Sequence, residues 1–559
     1  MLALRLRRLD WRSSLQLGAL LTAVGYLVVW PMFRLVQEAT RNGNQAATDA
    51  RHIAGLGEVI WTTVELAIGS VVISLVLGVA LALVATRLPR RWAWMGMLPV
   101  LPLVIPAVAN VVGWALLLSP KVGYLNAFIR AVLGMDPNGS GPIDIYSKPW
   151  IIIITGFALT SFMYVFIRSG LANMNAELLE AGAVFGSTPS RVLRTVTLPL
   201  LRPVILYGSG ITLLLALGQF TAPLLLGPQE NIRVLTTVIY DRTANPPIDY
   251  GVAAVLATPL LLAGLVIVGL QRLSLRDEGR YVTQGGRASR SSLRPTAWSI
   301  VPVTVYAIVA LGLPLFGLTV VALSPFYSRH IQTDKFTFAN FTQVFHDPQL
   351  SGAIRNSLVL AVGGVLIVLL VGYLVAELMR REDTPALLRR TLEFITFLPL
   401  GVPAVVFGAG FLFAYTRGPF VLYGTNFVIL LVYITLMLPY ATRFVISSRS
   451  ALGTVFEESA RVAGASRLRC HLTIVLPLVR AALGGAAALM FVLLTHEFSA
   501  SLLVRSTRTN VMGTVLFDLW TSTSYPIVAA MALVMCVIAA VGVALAFAVG
   551  GGRRMAENL

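Results

Sequence analysis

Residues 180–199 run EAGAVFGSTPSRVLRTVTLP, and residues 458–477 run ESARVAGASRLRCHLTIVLP. Glu180, Ala181, Gly186, Leu198 and Pro199 stand against Glu458, Ser459, Gly464, Leu476 and Pro477, all at one offset of 278 residues with no gap. Each copy predicts a short helix starting at the Glu, closed by a Gly that can take the left-handed turn. Ser187 or Thr188 ahead of Pro189, and Ser466 in the other copy, can cap a second short helix. The Leu-Pro pair is expected to stop that second helix before a long apolar segment begins.

Those apolar segments set the class of protein. A chain of 559 residues that is 57% hydrophobic, 12% charged and has mean hydropathy +0.80 cannot hide that much apolar surface in a soluble core. Runs of about 20 apolar residues, each enough to cross a bilayer, recur along it. They predict twelve spans. Six lie near Leu15–Val36, Val59–Thr86, Leu98–Leu118, Trp150–Leu171, Pro203–Leu226 and Gly251–Gln271. Six more lie near Trp298–Leu323, Asn356–Met379, Phe394–Tyr415, Asn426–Ile446, Arg480–Val504 and Pro526–Val549. The first span follows Arg5, Arg7, Arg8 and Arg12 as a signal peptide would, but its apolar run is too long and lacks a nearby cleavage site.

The net charge of +18 is scattered among short loops, with no basic stripe interleaved with aromatics, so it excludes a nucleic-acid partner and reads as a topology signal. The N-terminus, the even-numbered loops with their adjoining span ends, and the C-terminus hold 29 of the 43 Lys and Arg; the odd-numbered loops hold 13. Both termini and both Glu-to-Leu-Pro loops are therefore expected in the cytoplasm. Cys470 and Cys536 fall in a loop and a span, which argues against a disulfide framework.

The internal repeat is wider than the loops. Leu101-Pro-Leu-Val-Ile-Pro-Ala-Val108 matches Leu398-Pro-Leu-Gly-Val-Pro-Ala-Val405. With six spans in each half, the halves point the same way, as a parallel repeat about an axis along the membrane normal. The expected architecture is all-α and polytopic, with a first repeat at 1–271 and a second at 297–559. Residues 272–296, with Gly285-Gly286 and six Arg, read as a cytoplasmic linker near anionic lipid.

The paired loops, about 176–199 and 454–477, resemble the cytoplasmic loop of ATP-binding-cassette importer permeases. That family's pattern is Glu-Ala-Ala, three residues, Gly, nine residues, Ile-x-Leu-Pro, with Val196 and Ile474 here at the Ile position. Gly182 and Ser459 depart from it, both as small residues. The resemblance is to the fused two-domain permeases of the ferric-iron, thiamine and phosphonate uptake group. It implies two copies of an ATPase subunit docked on the loops through Glu180, Ala181, Gly186, Leu198, Pro199, Glu458, Ser459, Gly464, Leu476 and Pro477. It also implies a periplasmic or lipid-anchored binding protein that delivers substrate, and a place in the bacterial cytoplasmic membrane among its lipids. Glu497-Phe-Ser-Ala-Ser-Leu-Leu-Val504 looks most like ferric-iron permeases; thiamine, phosphonate, sugar phosphate and polyamine are the alternatives. An ion-coupled secondary carrier is the reading from a different class. It would call for a Gly-x-x-x-Asp-Arg-x-Gly-Arg-like loop, where this chain has only Arg87-Leu-Pro-Arg-Arg91.

The chain offers no catalytic residue, metal site or cofactor site. None of its three Lys follows a Gly, so no P-loop is present, and ATP hydrolysis is expected on partner subunits. The five His are dispersed. The substrate-path candidates come from the fifth span of each half. Leu217-Gly-Gln-Phe-Thr-Ala-Pro223 stands against Thr495-His-Glu-Phe-Ser-Ala-Ser501, pairing Gln219 with Glu497 and Phe220 with Phe498. An ionisable residue inside a span is costly and marks either a path or a bond between helices.

Overall fold

The computed structural model describes residues 11–41, 43–172, 174, 187–274, 295–381 and 384–549. Glu180, Ala181 and Gly186, with most of the linker, lie outside the described residues. Among those described, all regular secondary structure is helical. Among the described residues, ten helices are long and apolar enough to cross a membrane, or twelve if each of two bent pairs forms one span.

The first half contains α1 (Trp11–Thr40), α2 (Leu56–Ala85), a 3-10 segment Arg90–Val104 leading into α3 (Ala107–Leu118), α4 (Tyr124–Val132), α5 (Lys148–Ala172), α6 (Leu198–Leu217), α7 (Thr221–Leu226), α8 (Leu235–Ala244) and α9 (Tyr250–Ser274). The second half opens with a helical run ending in α10 (Leu313–Leu323), then α11 (Pro348–Arg380), α12 (Ala386–Phe397), α13 (Ala404–Tyr415), α14 (Asn426–Leu452) and α15 (Val455–Val462). It closes with α16 (Leu476–Thr495), α17 (Ser499–Val504), α18 (Met512–Thr521) and α19 (Tyr525–Val549).

The two halves repeat each other down to single contacts. In each, the second, fourth and fifth spans pack together: α2, α5 and α6 in one, α11, α14 and α16 in the other. A Cβ on Gly78 would lie 2.7 Å from Met163 Cβ, and one on Gly372 would lie 2.7 Å from Ala441 Cβ. These pairs correspond at offsets of 294 for the second span and 278 for the fourth. The outer stripe repeats too: Ile68, Val72 and Val76 are exposed on α2, and Val362, Leu366 and Leu370 on α11. One-turn spacing of exposed aliphatic residues is what a lipid-facing helix surface requires.

The third spans are not straight. The segments on either side of Ile105-Pro106 are bent by 92°, and those on either side of Val402-Pro403 by 112°. A proline ring pushes the preceding residue out of the helical region, and Ile105 and Val402 are both extended. The expected spans Leu98–Leu118 and Phe394–Tyr415 are thus bent pairs, and the matching Leu-Pro-x-x-x-Pro stretches are where they turn.

Beyond the bends, α3 and α13 are buried on all sides from their second residues onward. Each is covered by the first span of the opposite half: α10 packs on α3, and α1 on α13. Glycine makes this approach possible. A Cβ on Gly113 would sit 2.6 Å from Pro314 O, and one on Gly410 would sit 2.8 Å from Pro31 O. The halves are therefore interlocked. Gly113→Leu is expected to cost about 1–3 kcal/mol by overpacking, read as a lower melting temperature of the detergent-solubilised chain. An unchanged melting temperature would contradict the interlock.

Candidate functional site

The second Glu-to-Leu-Pro loop builds a helix, a left-handed turn and a longer helix. In α15 the side chains of Glu458 and Ser459 are exposed while Ala460 is buried. Gly464 closes the helix at φ +83°. Its N–H donates to Arg461 O, and the Ala465 N–H donates to Ala460 O, each at 3.0 Å. That bond pair satisfies the last carbonyls of a helix and needs the left-handed residue between them. Ser466 then accepts the Arg469 N–H at 3.3 Å and opens the next helix as a cap. Val455, Phe456 and Val462 on α15, and Leu468 on the helix after the turn, are all exposed, with Val462 at 91%.

Leu476-Pro477 does not stop the helix that follows, and neither does Leu198-Pro199. Short helices Pro189–Val192 and Arg467–Cys470 run through π turns, Leu193–Thr197 and His471–Val475, straight into α6 and α16. The Leu198 N–H donates to Leu193 O and the Leu476 N–H to His471 O, five residues back. That one-residue shift of bonding register lets a helix pass a residue lacking an N–H. Each loop therefore ends in a continuous helical run that leads into the fifth span.

The fifth spans themselves break. Gln219 and Phe220 lie between α6 and α7, and Glu497 and Phe498 between α16 and α17, so none of the four sits on a continuous helix as expected. Glu497 accepts the Ala500 N–H at 2.8 Å, the Ser501 N–H at 2.9 Å and the Ser501 hydroxyl, so its carboxylate caps α17. The Ser501 hydroxyl also pairs with the Tyr433 hydroxyl at 3.1 Å. In the first half, Thr155, which corresponds to Tyr433, donates to Gln219 Oε1 at 3.1 Å. The Gln219 backbone carbonyl accepts from the Thr236 hydroxyl at 2.6 Å. The fourth span of each half thus sends a hydroxyl to the break in the fifth.

The breaks bring the halves together. The Phe220 and Phe498 rings stack with centroids 5.7 Å apart at 28°. Tyr240 lies 5.8 Å from Phe220, Phe517 lies 6.0 Å from Phe498, and Tyr240 and Phe517 are 6.1 Å apart edge to face. Phe220 and Phe498 are buried. Four rings, two from each half, form one apolar plug at the junction.

Tyr240 and Phe517 come from a repeat that the sequence reading missed. Val234-Leu-Thr-Thr-Val-Ile-Tyr-Asp241 matches Val511-Met-Gly-Thr-Val-Leu-Phe-Asp518 at an offset of 277. The Val234 N–H is held by the Thr237 hydroxyl and the Val511 N–H by the Thr514 hydroxyl, both at 3.1 Å. The next N–H reaches back to the second span: Leu235 to Thr63 at 2.9 Å, and Met512 to Ser357 at 2.8 Å. Arg505 also grips Asp518 with two bonds of 2.6 and 2.8 Å. The shared Val-x-x-Thr-Val pattern was the available signal.

Residues 66–277 match the family model of the binding-protein-dependent transport system inner membrane component. The chain is 26% identical to the ferric transport system permease protein FbpB of Actinobacillus pleuropneumoniae, over 79% of this chain and 63% of that protein. The match thus spans less than two thirds of that relative's length. A permease of Salmonella choleraesuis (strain SC-B67) named for 2-aminoethylphosphonate transport is 25% identical over 50% of this chain and 96% of its own. Nearly all of that relative thus maps onto half of this chain. A chain of the bacterial alginate ABC transporter structure superposes with a TM-score of 0.41 at 21% identity, over 50% of this chain and 97% of that chain. Residues 66–277 thus match the domain of binding-protein-dependent transport system inner membrane components, within an all-helical polytopic chain that resembles fused two-domain permeases.

Proposed function

We propose that this chain is the membrane permease of an ATP-driven importer. Residues 1–271 and 297–559 form the two repeats, joined by the linker 272–296, and the translocation path runs between them. Separate ATPase subunits dock on the two Glu-to-Leu-Pro loops, and a binding protein delivers substrate on the opposite side. The observation that carries this reading is the second loop. It offers an exposed apolar face on α15 and is continuous, through the π turn His471–Val475, with the fifth span. The same span ends at Glu497-Phe498, where the aromatic plug closes the junction. A push on the loop is thereby transmitted along one helix to the plug. Ferric iron is the substrate we favour, on the likeness to the ferric transport permease; 2-aminoethylphosphonate is the competing cargo. Uptake of labelled ferric iron and of labelled 2-aminoethylphosphonate, in cells with and without the chain, separates the two. Iron accumulation that depends on the chain is expected, and phosphonate accumulation alone would overturn the assignment.

Both termini and both loops belong on the cytoplasmic side in this reading. In a chain whose native cysteines are replaced, a single cysteine in 272–296 is expected to resist a membrane-impermeant thiol reagent in intact cells. One at the exposed positions Asp136 or Asp334 is expected to react. The reverse labelling would invert the topology and remove the docking argument.

A further inference from the structure

A cluster of charges around one buried arginine lies where the second loop meets its spans. Arg449, in the last turn of α14, is 1% exposed. Its Nε donates to Glu377 Oε1 of α11 at 2.6 Å, and its Nη2 reaches Glu377 Oε2 at 3.4 Å. The same Nη2 donates to Glu457 Oε1, on α15 itself. His471, in the π turn, holds its Nε2 4.0 Å from Glu377 Oε2, and its Nδ1 lies 2.8 Å from the Tyr373 hydroxyl. Tyr373 and Glu377 are one turn apart on α11. One guanidinium therefore ties the loop helix to the ends of the second and fourth spans, beside the start of the fifth.

The first half carries a different sequence at the corresponding positions. At the offsets fixed by the paired glycine contacts and the loop repeat, Tyr373, Glu377, Arg449, Glu457 and His471 correspond to Val79, Leu83, Leu171, Leu179 and Leu193. Five polar or charged positions are replaced together by five apolar ones. An ion cluster around a buried arginine is weak evidence for stability, because a packed apolar set of similar volume does as well. What the ions add is directional bonding to one particular element.

We infer that Arg449 is the positioning residue of the second loop, fastening α15 through Glu457 to α11 and α14 so that a partner's movement of α15 carries both spans with it. The inference rests on the docking reading above and adds that the two loops are anchored by different chemistry.

The test uses the full chain with its ATPase and binding protein in proteoliposomes, comparing wild type, Arg449→Leu, Arg449→Lys and the triple Glu377→Leu/Arg449→Leu/Glu457→Leu. Protein amount, melting temperature, ATPase co-purification, ATP hydrolysis and substrate uptake are measured together. Arg449→Leu leaves two carboxylates without their cation. Its uptake per ATP hydrolysed is expected to fall at least tenfold with the ATPase still bound, and Arg449→Lys should recover part of the loss. The triple variant, which imitates the first half, should regain wild-type amount and heat resistance. Uptake per ATP unchanged in Arg449→Leu overturns the inference, as does uptake that falls only in proportion to protein amount. Wild type that fails to retain the ATPase overturns the docking reading, and this inference with it.

Discussion

Gly464→Val is expected to reduce uptake at least tenfold while Gly464→Asn stays near wild type. No atom lies within 4 Å of where a Cβ on Gly464 would be, so space is not the obstacle. The obstacle is φ +83°, which costs an L residue roughly 1–2 kcal/mol, and a β-branched one more because its χ1 is also restricted. Asparagine tolerates the left-handed region and can end a helix there. A cost of about 1–2 kcal/mol shifts a local equilibrium by roughly 5–30-fold, enough to displace α15 from the pose that presents its exposed face. Membrane insertion should persist, since the loop lies outside the buried core. Uptake and ATPase co-purification, measured for both variants, check this. Equal activity of the valine variant would mean that the turn positions nothing.

Glu497→Leu is expected to destabilise the chain, and Glu497→Gln to do so much less. The carboxylate holds the N–H groups of Ala500 and Ser501, and both residues are fully buried. Leucine leaves both donors without a partner, at about 1–3 kcal/mol for each group. Glutamine keeps one carbonyl oxygen as an acceptor. The melting temperature in detergent, read beside uptake, distinguishes the roles. A Glu497→Leu chain as heat-resistant as wild type yet inactive in transport would assign the carboxylate to the path rather than to the cap of α17.

The architecture was largely legible in the sequence because membrane spans and tandem repeats are local patterns. The Glu-to-Leu-Pro copies, the Leu-Pro-x-x-x-Pro copies and the Gln219/Glu497 pairing each needed only a fixed offset. Errors arose where local rules compete. Proline was expected to end a helix at Leu198 and Leu476, but a π turn just before each pair accommodates it. The prolines Pro106 and Pro403 bend the chain within the segments expected as third spans. What stayed hidden depends on contacts between residues far apart in sequence. Gly113 against Pro314, Phe220 against Phe498 and Arg449 against Glu377 leave no periodic trace in a single chain. At the second-half break a costly intramembrane carboxylate is met by its own helix terminus, where Glu497 accepts the N–H groups of Ala500 and Ser501.

The most direct measurement reconstitutes the purified chain in proteoliposomes with its ATPase and binding protein, and follows labelled ferric iron. Accumulation should require ATP, the ATPase and the binding protein together, and should vanish with Gly464→Val. Accumulation driven by an ion gradient with no ATPase present would contradict the account and identify a secondary carrier instead.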